Sequence, residues 1–173
     1  MQSFGRKNKI EIEKYVFPCG EMILGSFDGK LCLCDWADGR RRISVDQRLQ
    51  KCLNANYVGG SSDVIERAKY QLDEYFLSKR CEFDIPLLFV GTDFQKKVWN
   101  ELLKIPYGTT ISYGKLAKGI GRPNTVRAVA NANAVNALSI IVPCHRVIGS
   151  NGTLTGYGGG LDRKRFLLEL ESR

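Results

Sequence analysis

The chain alternates apolar and polar positions through its first third and then lengthens its period. Between residues 10 and 36 the apolar pieces are Ile10-Glu11-Ile12-Glu13, Met22-Ile23-Leu24 and Leu31-Cys32-Leu33-Cys34. Successive strand side chains point to opposite faces, so this alternation marks half-buried strands. Gly20 and Asp28-Gly29 punctuate the pieces as hairpin turns, which predicts a small antiparallel sheet. From residue 63 to 79, Ile65, Ala68, Leu72 and Phe76 recur at helical spacing. Asp63 and Glu66 place negative charge in the first turn, where the helix dipole favours it. A short strand is expected to follow at Cys81 to Ile85.

Around Pro86 to Gly91 the pattern changes from strands to helices, which sets an expected boundary between a scaffold domain, 1–88, and a second domain, 89–173. Thr92-x-x-Gln95 has the form of a capping box. It opens a helix with Phe94, Val98, Leu102 and Ile105 on one face, ended by Pro106-Tyr107-Gly108. A second helix begins near Ser112 and breaks at Gly119-Ile120-Gly121, and a third runs from about Asn124 to Asn133. Two short helices joined by a glycine-containing turn predict a helix-turn-helix. On the third helix Val126, Val129 and Ala130 form the face read as core, and Arg127, Asn131 and Ala134 form another. That second face is small and polar around a single arginine. A helix that reads base edges usually carries several long polar side chains, whereas small residues allow close backbone approach. No internal repeat or low-complexity segment interrupts this α+β pattern.

The most chemically loaded stretch is Pro143-Cys144-His145-Arg146-Val147, which holds the only histidine in the chain. A thiol attacks as the thiolate, and at a free pKa of about 8.5 little is ionised at neutral pH without help. His145 can supply a base and Arg146 a positive charge. The preceding run, Ser139-Ile140-Ile141-Val142, reads as a strand that Pro143 ends, which places the thiol on a turn at the strand's end.

This pentapeptide resembles the active-site motif of the O6-alkylguanine-DNA alkyltransferases, also called methylated-DNA–protein-cysteine methyltransferases. The resemblance covers about Thr92 to Glu171, nearly half of the 173 residues. It includes Ile111-Ser112-Tyr113-Gly114-Lys115-Leu116-Ala117, the run Arg122 to Asn136, and Gly156-Tyr157-Gly158-Gly159-Gly160-Leu161. The first ninety residues match only in broad pattern. The resemblance implies a ribonuclease H-like N-terminal sheet with a helix, and a winged-helix-like C-terminal domain. It implies repair of DNA by irreversible transfer of a methyl or alkyl group from O6-alkylguanine, less so O4-alkylthymine, to Cys144, once per protein molecule.

Roles follow residue by residue from the same resemblance. Cys144 is the nucleophile, His145 the base acting through a water, and Glu171 the carboxylate that orients it, lying one turn after Leu167 on the final helix. The DNA-binding helix would lie in the minor groove, with Arg127 entering the stack where the damaged nucleotide is flipped out. Asn131 and Ala134 share its DNA-facing side. Tyr113 helps rotate the nucleotide and eases charge on the departing base. Asn136 ties the helix to the cysteine turn, and Arg146, Tyr157, Gly158 and Gly159 support the pocket. Gly158 departs from relatives that carry serine there, leaving only its backbone N–H as a donor. No metal or organic cofactor is implied.

Composition fits this reading. The chain has 26 basic and 18 acidic residues, a net charge of +8, which favours a polyanionic partner, here double-stranded DNA containing alkylated guanine. No apolar run approaches the ~20 residues that cross a bilayer, and Met1 to Lys9 is polar and basic with no apolar signal core after it. These features predict an intracellular monomer, cytoplasmic in a prokaryote and nuclear in a eukaryote, with no membrane partner. Six cysteines, at 19, 32, 34, 52, 81 and 144, would stay reduced there. The N-terminal thiols form no Cys-x-x-Cys pair, so strand packing suits them better than zinc. Three other functions compete with this one: a sensor of alkylated bases, which would lack the reactive cysteine that is present here as Cys144; a cysteine hydrolase using Cys144, His145 and Glu171, which would turn over; and a transcription factor, which would prefer one sequence.

Overall fold

The computed structural model describes residues 7–173, so Met1–Arg6 of the basic N-terminal stretch lie outside the described residues. Three strands, β1 (Asn8–Phe17), β2 (Gly20–Phe27) and β3 (Lys30–Trp36), form an antiparallel meander. The β2–β3 turn is the two residues Asp28 and Gly29, at φ +49° and +72°, the left-handed pair that matches strand twist. At the first hairpin the turn residues are Pro18 and Cys19, and Gly20 opens β2 instead of making the turn. A fourth strand, β4 (Ala55–Gly59), pairs parallel with β1, giving the order β3-β2-β1-β4.

Between β3 and β4 runs α1 (Arg42–Cys52), and neither α1 nor β4 is legible from the apolar pattern. Helix α1 buries only Val45 and Leu49 among its aliphatic side chains, too few to show a stripe. It covers one face of the sheet with Ile10, Cys32, Leu33 and Ala55. The opposite face packs against α2 (Asp63–Phe76), whose Ile65, Ala68, Leu72 and Phe76 are buried as its spacing predicts. Ile65, Leu72 and Phe76 each contribute about 1.5–3 kcal/mol by this burial. Cys81–Ile85 is not a strand. Its backbone is held instead by Gln71, whose Oε1 accepts from Asp84 N–H at 2.9 Å and whose Nε2 donates to Asp84 O at 3.1 Å.

The second half holds α3 (Asp93–Leu102), β5 (Ile111–Ser112), α4 (Tyr113–Gly119), α5 (Val126–Ala134), a 3-10 turn (Cys144–Arg146), β6 (Val147–Ile148) and α6 (Leu161–Glu171). The Thr92–Gln95 capping box is fully formed at the start of α3. One apolar core runs through both halves, joining Trp36, Leu72 and Tyr75 to Val98, Trp99 and Leu167. The outer edge of β3 is covered by later chain: Leu31 pairs with Leu87 from the connecting segment, and Cys34 N–H donates to Ala137 O of the second half at 2.8 Å. An uncovered edge of this apolar strand would invite pairing with other chains. Among the described residues no helix is long and apolar enough to cross a membrane.

Candidate active site

Cys144 opens the 3-10 turn and is only 4% exposed. The run before it is not a strand. Val142 N–H donates back to Leu138 O at 2.8 Å, Ile141 N–H to Ser139 O at 2.9 Å, and Ile140 sits at φ +72°, so Ser139–Val142 is a tight reversal. Side chains from two directions shape it. Asn136 donates from Nδ2 to Val142 O and accepts at Oδ1 from Leu138 N–H, both at 2.9 Å. From β3, Asp35 accepts from Ser139 Oγ at 2.9 Å while also taking Arg42 at 3.1 Å. Asn133, one turn earlier on α5, reaches Cys144 O at 3.4 Å. Asn136 thus bonds backbone groups at both ends of the reversal, while the bond from α5 to the cysteine itself comes from Asn133, which sequence reasoning missed.

His145 is fully buried, and its Nε2 lies 2.7 Å from Glu171 Oε1. With Nε2–H donating to a carboxylate, Nδ1 is left as an acceptor, and Nδ1 is buried without a protein partner. Glu171 is no frayed terminus. Its two oxygens also accept from Arg146 Nε at 2.8 Å and Nη2 at 2.9 Å, Tyr75 hydroxyl at 2.7 Å and Gly108 N–H at 3.2 Å. Burial alone would raise its pKa, but the bonds from His145 and Arg146 hold it well below the usual carboxylate range. Burial lowers the pKa of His145 despite that carboxylate, so the imidazole rests neutral.

Arg146 does not lend its charge to the thiol as the sequence suggests. Its guanidinium turns to Glu171 and to Ile105 O, 2.7 Å away. A second buried cation is Lys164, on α6, which is fully buried and donates to Val147 O and to Thr155 O at 2.7 Å. Burial brings Lys164 down to about 8. Burial also pushes the Cys144 thiol up to about 11, opposed by the Asn136 side chain and the Lys164 charge. Cys19 is raised to about 11 and Cys32 to about 12 by the same desolvation. What distinguishes Cys144 is its neighbours. Nothing in the spacing of α6 marks Lys164, because a lysine normally reads as solvent-facing.

Tyr113, at the start of α4, is half-buried and donates its hydroxyl toward Thr155 O (3.1 Å) and Gly156 O (3.2 Å). The loop 156–160 follows. Tyr157 is buried, and its hydroxyl accepts from Trp36 Nε1 at 3.1 Å. Gly158 O accepts from Arg40 N–H at 3.0 Å, and Gly160, at φ +91°, leads into α6. The half read as a scaffold without chemistry thus sends Asp35, Trp36 and Tyr75 to the site.

On α5, Arg127 and Asn131 are exposed and Ala134 is half-buried. The inward set differs from the expected Val126, Val129 and Ala130. It is Val129, Ala132 and Asn133, while Val126 is 40% exposed. Val126 lies in the first turn, short of the packing against α3 and α4 that buries the later turns. Among the described residues no group of three or more His, Cys, Asp or Glu side chains is placed to hold a metal, and all six thiols are free.

A buried cysteine followed by a Glu-held histidine, in a chain that also presents an exposed arginine on one of two short helices, characterises this α+β protein. Residues 93–173 match the family model described as 6-O-methylguanine DNA methyltransferase, DNA binding domain. A methylated-DNA–protein-cysteine methyltransferase of Methanosarcina acetivorans is 44% identical over 154 residues, spanning 89% of this chain and 93% of the relative. One from Mycobacterium tuberculosis is 60% identical over 101 residues, 58% of this chain and 61% of that protein. The crystal structure of M. tuberculosis OGT in complex with DNA superposes with a TM-score of 0.79 at 41% identity, covering 95% of this chain and 92% of that one. The O6-methylguanine-DNA methyltransferase of Pyrococcus kodakaraensis superposes at 0.70 and 29% identity, covering 95% and 99%. The chain belongs to the methylated-DNA–protein-cysteine methyltransferase family.

Proposed function

We propose that this protein repairs double-stranded DNA by moving an alkyl group from O6 of guanine, less so O4 of thymine, to Cys144 Sγ, once per molecule. The observation that carries this reading is the bond of His145 to Glu171, which leaves Nδ1 without a protein partner in the residue that follows a buried cysteine. In the step, Sγ attacks the alkyl carbon, an S–C bond forms and the C–O6 bond breaks. The thiol proton passes through a water to His145 and returns to the base, so thiol plus O6-alkylguanine gives thioether plus guanine. The neutral imidazole is ready to accept, and Glu171 stabilises the cation that results. Lys164 and the Tyr113 hydroxyl relieve negative charge on sulfur and on the leaving base. A thioether resists hydrolysis, so the protein acts once, as an intracellular monomer without a cofactor.

Reach demands that the nucleotide leave the stack, because a guanine O6 substituent inside a duplex is closed to a thiol at this depth. The helix α5 would enter the minor groove, with Arg127 filling the gap and Asn131 and Ala134 against the backbone. In this reading residues 1–88 form a ribonuclease H-like domain and 89–173 a winged-helix-like one that binds DNA. The test is a duplex carrying radiolabelled O6-methylguanine incubated with excess DNA. One methyl per protein on the peptide containing Cys144, and then no further reaction, is the expected result. A burst followed by continuing turnover would identify a cysteine hydrolase instead.

A further inference from the structure

We infer that Trp36, at the end of β3 in the N-terminal half, sets the size of alkyl group that the site accepts. This rests on the alkyl-transfer reading above. Trp36 is fully buried and belongs to the same apolar cluster as Cys144 and Tyr157. Three contacts press the loop 156–160 onto its indole. Trp36 Nε1 donates to the Tyr157 hydroxyl at 3.1 Å. A Cβ built on Gly159 would lie 2.3 Å from Trp36 Cδ1, 2.4 Å from its Nε1 and 2.8 Å from Tyr157 Cε1, so the loop backbone rests directly on the ring edge. The other side of the indole is fixed by Arg163, whose guanidinium carbon stacks 4.5 Å from the ring centroid, bonds Cys19 O and Gly159 O, and pairs with Asp38.

The loop therefore cannot move toward β3 while the indole is there. Its other neighbours are the thiol side of the site: Tyr157 packs in the same apolar cluster as Cys144, and Tyr113 bonds the loop at Gly156 O. The wall that an alkyl substituent meets is thus backed by a side chain from the other half of the chain. Outside the loop an open recess of about 490 Å³, lined by Cys19, Asp38, Arg40 and Gly159 among others, leaves room for the backbone to yield once the indole is shortened. A pocket wall that yields by a methylene or two changes discrimination by roughly tenfold or more.

The experiment measures single-turnover transfer from duplexes carrying O6-benzylguanine or O6-methylguanine to wild type, Trp36→Leu and Trp36→Phe. The benzyl-to-methyl rate ratio should rise roughly tenfold in Trp36→Leu and in the same direction, by less, in Trp36→Phe. A double-mutant cycle adds a readout that general loosening would not move. Gly159→Ala should slow transfer sharply in wild type and by a smaller factor in the Trp36→Leu background, because the ring it collides with is gone. An unchanged ratio in both variants, or a Gly159→Ala loss of equal size in both backgrounds, overturns the inference. If Trp36→Leu does not fold, the ratio in Trp36→Phe decides alone. Wild type failing to methylate Cys144 would instead overturn the alkyl-transfer reading itself.

Discussion

Tyr75, on α2 in the N-terminal half, donates its hydroxyl at 2.7 Å to Glu171 Oε1, the same carboxylate oxygen that holds His145 at 2.7 Å. The bond spans 96 residues of sequence and ends on the group that orients the imidazole. Burial, with the Glu171 charge beside it, keeps Tyr75 strongly protonated, so it acts here only as a donor. Tyr75→Phe should cost about 1.5–3 kcal/mol of stability, the range for a hydrogen bond to a charged group, and slow alkyl transfer several-fold. Urea denaturation and single-turnover kinetics measure the two effects. A variant with wild-type transfer would show that His145, Arg146 and the Gly108 N–H fix the carboxylate without the Tyr75 hydroxyl.

Glu171→Gln separates orientation from charge. An amide can still hold His145 but cannot stabilise an imidazolium, so transfer should slow without stopping. Leaving Arg146 buried without its carboxylate should cost about 3 kcal/mol. The pH dependence has a definite sign. The folded pKa of Glu171 is depressed below its ordinary 4.5, so its stabilisation is present above about pH 4.5 and is lost as pH falls further. Buried His145 refuses a proton that the unfolded chain takes near its ordinary 6.5, so that loss begins earlier and survives the substitution. Melting temperatures from pH 7 to 3 should show the glutamine variant keeping the higher-pH slope and falling less steeply than wild type below about pH 4.5.

Arg127→Ala should weaken repair of duplex DNA much more than reaction with the free alkylated base, because the arginine's proposed role is to replace a flipped nucleotide. Equal loss on both substrates would make Arg127 merely structural. Duplex binding should also fall linearly with the logarithm of salt concentration, through counterion release, and show little sequence preference. Lys115 and Lys118 on α4 and Arg122 in the turn that follows it, all exposed, are side chains whose removal should each reduce that slope by about one.

The helices were legible where one face is apolar and a cap is local. Ser112 and the Thr92–Gln95 box mark their helix starts in four residues each, and α2 shows its whole stripe. Helix α1 was not legible because its partner is already covered by sheet residues and it buries little of its own. The reversal at Ser139–Val142 was hidden for the opposite reason: four buried residues in a row read as a strand, and the side chains that fold them back, Asp35 and Asn136, lie elsewhere in the chain. At the site His145 and Glu171 meet across 26 residues of sequence, and Cys144 opens the 3-10 turn that carries the histidine. Tyr75, Trp36 and Lys164 were invisible because sequence gives no account of which distant side chains a buried carboxylate or carbonyl will recruit. Arg146 was misjudged on adjacency, since the 3-10 turn points its guanidinium at Glu171.

The identity of the reacting thiol is the most direct prediction. Cys144→Ala should abolish transfer while keeping DNA binding, since the side chain is small and the turn is held by Asn136 and Asp35, not by sulfur. Cys52 and Cys81 are exposed and would react first with a soluble alkylating reagent, so chemical modification alone does not identify the acceptor. Transfer from O6-methylguanine in a duplex should bypass them, because only Cys144 has the histidine, the lysine and the asparagine that assist the departure of a proton and a base. Cys19, Cys32, Cys34, Cys52 and Cys81 should each be replaceable without loss of transfer, although Cys34, fully buried between sheet and α2, should lower stability when changed. Peptide mass mapping after reaction with methylated DNA reads the result. A methyl group on any of those five, or transfer by Cys144→Ala, would mean that the constellation around His145 and Glu171 serves some other chemistry.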